Sequence, residues 1–182
     1  MKRQLNRELL GFVVYIGGKR NRDMEKHEKL KGLVKDIKIA MLTTIDNDGM
    51  LRSRPMSLSK MEDEGVMWFF TQANAPKTEE IEHDGHVNIN FMDRDSETYI
   101  SVSGHAATIK DQNKIEELWS PVLKAWFPKG KEDENIALIR VEVDKAEYWD
   151  APSGKLKQAI GMAKAAVTGQ QYEAGENKKI DY

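Results

Sequence analysis

The chain has 182 residues and a mass of 20.8 kDa, with 28 basic and 30 acidic residues for a formal net charge of -2. That length suits one full hydrophobic core and is short for two ordinary domains, and the balanced charge excludes a bulk electrostatic case for nucleic acid. There is no cysteine, which excludes disulfides, thiol catalysis and cysteine-held metal or iron–sulfur sites.

Residues 1–23 read as an N-terminal extension. Their cations (Lys2, Arg3, Arg7, Lys19, Arg20 and Arg22) suit a solvated tail, and the run LLGFVVYI (Leu9–Ile16) is too short to span a membrane. Gly17-Gly18-Lys19-Arg20 follows that run where a signal peptide would carry a small-x-small cleavage site, so a cytoplasmic protein is expected. Asp23–Ile37 then predicts an amphipathic helix. Asp23 serves as N-cap, and Leu30, Leu33, Val34 and Ile37 share the face that should close one end of the fold.

Three strands come next. Ile39–Ile45 is rich in β-branched and apolar residues, Asp46-Asn47-Asp48-Gly49 is a turn with Gly49 at positive φ, and Leu51–Ser59 returns. Val66–Thr71 (VMWFFT) is the third strand, with one face expected in the core. Arg52 and Arg54 lie two apart and project from one strand face. Lys77 follows Pro76, which suits the first turn of a helix. Three cations beside a helix N-terminus form a candidate site for a dianionic phosphate.

Lys77–Asp84 predicts a short helix ending at Gly85, and His86–Asp93 a strand alternating Val87, Ile89 and Phe91 against Asn88 and Asn90. Thr98–Lys110 is a further strand, with Gly104 marking a bulge or close approach. Asp111–Trp126 reads as a second amphipathic helix interrupted at Pro121, and Ile136–Trp149 as a long final strand. Leu156–Val167 suggests a helix stopping at Gly169, and residues 170–182 a polar, loose C-terminal tail. Six or so strands with hairpin links early on argue for a mainly β, α+β fold: an antiparallel barrel with helices outside. His27, His83, His86 and His105 fall on different elements without metal-ligand spacing, so no metal site is expected. G-x-S-x-G, P-loop and G-x-G-x-x-G signatures are all absent.

The runs LTTIDNDGMLRSRPM, WFFTQANAPKTEEI, LWSPVLKAWFPKG and IRVEVDKAEYWDAPSGK, in that order, resemble the general stress protein 26 group. That group belongs to the FMN-binding split-barrel superfamily, whose best-known enzyme is pyridoxamine 5′-phosphate oxidase. The resemblance implies a six-stranded antiparallel split β-barrel over residues 24–169. It also implies a homodimer with flavin sites at the interface, and an FMN-dependent oxidoreductase drawing hydride from NAD(P)H. It assigns the phosphate to Arg52 or Arg54, and to Lys77 with its neighbour Thr78. The strand around Ser53, Pro55 and Met56, together with Phe70 and Thr71, would line the flavin, and Trp126 would cover the ring from the other subunit. Pyridoxamine 5′-phosphate oxidases carry an arginine–histidine pair near their final strand that engages the substrate phosphate. YWDAPSGKLKQAIG lacks that pair, so the resemblance does not extend to that substrate site. The alternatives are a flavin-binding or sensing stress protein without efficient turnover, or pyridoxamine 5′-phosphate oxidase-like activity, with a deazaflavin or haem as the alternative cofactor; no histidine stands out as a haem ligand.

Overall fold

The computed structural model describes residues 25–150 and 176–181. A helix over residues 25–34 (α1) leads into β1 (Ile39–Ile45), β2 (Leu51–Met61) and β3 (Val66–Gln72). Then come α2 (Pro76–His83), β4 (His86–Asp93), β5 (Thr98–Ile109), α3 (Gln112–Leu118), β6 (Ile136–Asp150) and β7 (Glu176–Asp181). The strand order is β3-β2-β1-β4-β5-β6-β7, every pairing is antiparallel, and β3 also pairs with β6. That last pairing closes the first six strands into the expected barrel. No edge remains where they meet.

The hairpin between β1 and β2 forms because Asp46 organises its own turn. Its Oδ1 accepts the amides of Asp48 (3.0 Å) and Met50 (2.8 Å), and Gly49 takes φ 77°. Alternate residues of the strands then fill the barrel. Leu42, Met67, Phe69, Ile89, Phe91, Val102, Ile139 and Val141 are fully buried there, and Leu30 and Val34 of α1 join them as the stopper. Gly104 sits at a register shift between β5 and β6, where a Cβ would lie 2.1 Å from the Glu142 carbonyl oxygen. A side chain there would force the strands apart. A second, smaller cluster lies outside the barrel wall, where Val66, Trp68, Phe70, Ile136 and Leu138 meet Ile115 and Phe127.

Several elements differ from the sequence expectation. Both faces of β3 are core, because the second cluster covers the face expected to be open. The second amphipathic helix ends at Leu118; Trp119 turns extended, and a separate 3₁₀ turn spans Pro121–Ala125. Proline disfavours helical backbone in the residue before it, here Ser120, so the break is local in origin. Asp84, past the end of α2, is extended (φ -142°), so Gly85 is no left-handed cap. Its lack of a side chain instead admits the Ala106 carbonyl oxygen at 3.0 Å from where a Cβ would stand. Within the expected loose tail, residues 176–181 form β7, paired with the far half of β6 through Lys145–Asp150. The N-cap assigned to Asp23, residues 1–23 and the helix expected over Leu156–Val167 lie outside the described residues.

Candidate cofactor site between parted strands

Strands β2 and β3 pair only near their shared hairpin, Leu58–Met61 against Met67–Phe69. Beyond it they part. Among the described residues Leu51–Ser57 pair only with β1, and Phe70–Gln72 only with β6. Two backbone edges are therefore free to bond a ligand, which is the provision a flat heterocycle requires. Pro55 lies in this half-paired stretch, where a residue without an N–H is tolerated.

Charge gathers at the end of this opening. Arg54 points to the inner side of β2, opposite Leu42, and its Nη2 donates to Glu80 Oε2 at 2.7 Å. Its Nη1 donates to the Thr44 hydroxyl, which donates in turn to Glu80 Oε2. Thr44 is fully buried and the Arg54 side chain is 22% exposed, so this ion pair is largely withdrawn from water. Glu80 arrives from α2, one turn after Lys77, and the two share a helix face. Sequence reasoning missed Glu80 and Thr44; the i, i+3 spacing from Lys77 was the available signal.

Lys77 is half-buried and has no carboxylate partner among the described residues. Burial and then the neighbouring Arg54 push its pKa down, with only Glu80 acting the other way. A desolvated ammonium beside a guanidinium calls for an anion. Arg52 is placed differently. It is exposed, and its Nε donates to Asp46 Oδ2 at 2.8 Å in the β1–β2 turn. The Asp46 carboxyl is held low by the Met50 amide and then by Arg52.

The other expected site residues separate into groups. Ser53 and Pro55 face outward, with Ser53 hydrogen-bonded to Thr43 at 2.8 Å, whereas Met56 is buried in the barrel. Phe70 sends its ring into the outer cluster against Trp119 (6.0 Å, edge-on) and Phe127 (6.2 Å), which leaves its backbone for any ligand. Thr71 is buried at the inner end of β3. The Thr78 hydroxyl donates to the carbonyls of Ala73 (3.0 Å) and Ala75 (2.6 Å), pinning the first turn of α2. Trp126 stands 63% exposed after the 3₁₀ turn and makes no ring contact with the described residues.

The family model for pyridoxamine 5′-phosphate oxidase-like proteins matches residues 25–173. The chain belongs to the pyridoxamine 5′-phosphate oxidase-like family. Among members of known structure, the general stress FMN/FAD-binding protein of Xanthomonas citri is 30% identical over 71% of this chain and 92% of its own, with a TM-score of 0.62. The general stress protein 26 of Bacillus anthracis is 28% identical over 67% of this chain and 92% of its own, with a TM-score of 0.60. The protein bli-3 of Neurospora crassa is 29% identical over 166 residues, 86% of this chain and 79% of the relative. These likenesses agree with the split-barrel fold and with the general stress protein 26 group within the family.

Proposed function

We propose that this family member binds FMN between the parted strands β2 and β3 and acts as a flavin-dependent oxidoreductase of the general stress protein 26 type, with NAD(P)H as electron donor. The observation that carries the reading is Lys77, a half-buried cation without a carboxylate partner among the described residues, set beside Arg54. A phosphate monoester supplies close to two negative charges near neutral pH and suits that pair. The Xanthomonas citri relative, named for FMN/FAD binding, supports a flavin.

In this reading Lys77 and Arg54 hold the phosphate, and Glu80 with Thr44 keeps the guanidinium in place. Arg52, tied to Asp46 at the rim, adds attraction at longer range. The free edges of Met56–Ser57 and Phe70–Thr71 hydrogen-bond the ring, and Thr78 holds the turn that presents Lys77. When bound, FMN supplies the hydride-accepting and hydride-donating centre. The chain's task is then positioning and exclusion of water, with no dedicated acid or base.

The functional unit is a homodimer. Ile39, Met41, Met92, Tyr99 and Trp149 are all 39–56% exposed on the outer face of β1, β4, β5 and β6, with Met92, Tyr99 and Trp149 in one register row. A second copy of that face would bury them, and Trp126 would cover the partner's flavin. Among the described residues no helix is long and apolar enough to cross a membrane.

The test is a visible spectrum of the purified protein, then titration with FMN and anaerobic addition of NAD(P)H. Tight uptake followed by bleaching is expected. Absence of flavin binding would overturn the cofactor reading; bound flavin that stays oxidised would overturn the NAD(P)H donor. Dilution should release dimer and flavin together, and full FMN affinity in a proven monomer would overturn the shared site.

A further inference from the structure

The sequence separates His86 from His105, yet the β4–β5 register sets them directly opposite each other. Their ring centroids lie 4.3 Å apart, with the planes at 54°. The backbone fits a close pair. The next residues outward, Gly85 and Ala106, are joined by a ladder bond, Ala106 N–H to Gly85 carbonyl at 2.7 Å. The His86 amide turns instead to Asp84 Oδ1 at 2.9 Å. This is the non-hydrogen-bonded position of an antiparallel ladder, where opposing side chains stand nearest.

Each ring is also oriented from behind. His86 Nδ1 meets Asp84 Oδ1 at 2.7 Å, and His105 Nδ1 meets Asp144 Oδ2 at 2.8 Å. An ionised carboxylate only accepts, so each Nδ1 carries the proton and each Nε2 of the neutral ring offers a lone pair. Asp84 is held below the usual carboxylate range, first by the His86 amide and then by its ring. Two imidazoles side by side, each donating its Nδ1–H to a carboxylate, are held as metal-bound histidines commonly are. Both rings are open to solvent, with side-chain exposures of 70% and 53%.

We propose that His86 and His105 form a two-imidazole chelate for a divalent transition-metal ion, with Asp84 and Asp144 orienting the rings through their Nδ1 atoms. Among the described residues no group of three or more metal-type side chains converges. Water therefore fills the remaining coordination positions, and the affinity order is that of imidazole donors: Cu2+ above Ni2+ and Zn2+. Coordination uses the Nε2 lone pair of each neutral ring, so no covalent bond is broken and no proton leaves. The pair lies beyond the C-terminal end of α2, whereas Lys77 is at its N-terminus, about 12 Å away along an eight-residue helix. It is thus separate from the phosphate cluster.

The test uses untagged, chelator-treated protein titrated with Cu2+ alone and followed by electron paramagnetic resonance. One Cu2+ per chain with hyperfine structure from two imidazole nitrogens is expected. His86→Ala and His105→Ala should each remove that signature and weaken binding about 100-fold, as loss of one arm of a chelate does. Asp144→Asn keeps both ligands and should weaken binding about 10-fold. His27→Ala and His83→Ala should leave the two-nitrogen spectrum intact. No two-nitrogen signal at saturating Cu2+ would overturn the site, as would an affinity unchanged in His105→Ala with its thermal unfolding unaltered.

Discussion

Lys77 and Lys114 show how one residue type serves two ends in this fold. Lys114 reaches from α3 over the Trp68 ring, 5.0 Å from its centroid, and its Nζ bonds Glu62 at 2.6 Å and Glu117 at 2.9 Å. Lys60 also bonds Glu117. There every cation has its carboxylate. Glu62 and then Glu117 raise the Lys114 pKa, and Lys60 with Lys114 draws Glu117 down to about 2. At the barrel opening the balance is reversed: Lys77 is pushed down by burial and by Arg54, with no carboxylate bonded to it among the described residues. A matched cluster holds the structure together. A cluster with a cation left over has attraction to offer a ligand.

The largest expected effect is at Arg54, which belongs to both roles. Arg54→Ala strips the buried Glu80 and Thr44 of their partner and should cost about 3 kcal/mol of stability in urea unfolding. It should also abolish tight FMN uptake. Lys60→Ala, which breaks an exposed pair, should cost less than about 1 kcal/mol. Equal losses would erase the distinction between the two regions.

Lys77→Ala should weaken FMN binding by about 1.5–3 kcal/mol in a fluorescence titration, the value of a charge-assisted bond. The apo protein's unfolding free energy should move by less than about 0.5 kcal/mol, because the lost cation had no partner to leave behind. Lys114→Ala should do the opposite: an unchanged FMN dissociation constant with reduced stability. A fall in apo stability at Lys77 with FMN affinity preserved would place it among the structural lysines.

The pH dependence carries a smaller signal. Only protonated Lys77 attracts phosphate, and its pKa is lowered, so FMN affinity should decline as pH rises before an ordinary lysine, near about 10.4, would lose its proton. Lys77→Arg should move that decline upward. In the matched region the depressed Glu117 pKa gives the opposite sense. Its contribution is complete above the unfolded carboxylate pKa of about 4.3 and is lost as pH falls toward about 2. Thermal unfolding of Glu117→Gln against the parent chain should show this as the smallest of these effects, confined to acid.

Much of the frame was legible in the sequence because it is locally determined. Alternation marked β4, β-branched and apolar residues marked β1, Gly49 marked the turn, and Gly104 marked the close approach of two strands. The cations at 52, 54 and 77 were visible as a group by type and order. Their division of labour was not. Arg52 and Arg54 look alike along the strand, and only the placement of Asp46 and Glu80 sends one to a surface turn and the other into the barrel end. The burial of both faces of β3 was hidden for a similar reason: its cover comes from Ile115 and Phe127, far along the chain.

The sequence by itself determined the first six strands, the early hairpin turns and which cations stand near a helix N-terminus, because these depend on side chains a few residues apart. Tertiary structure decided the rest. Closure of β3 on β6 created the parted strands, β7 found its partner in the far half of β6, and the β4–β5 register brought His86 against His105. Each of these is a pairing between distant segments. It depends on register and on the shape of the whole barrel, which no local pattern of residues encodes.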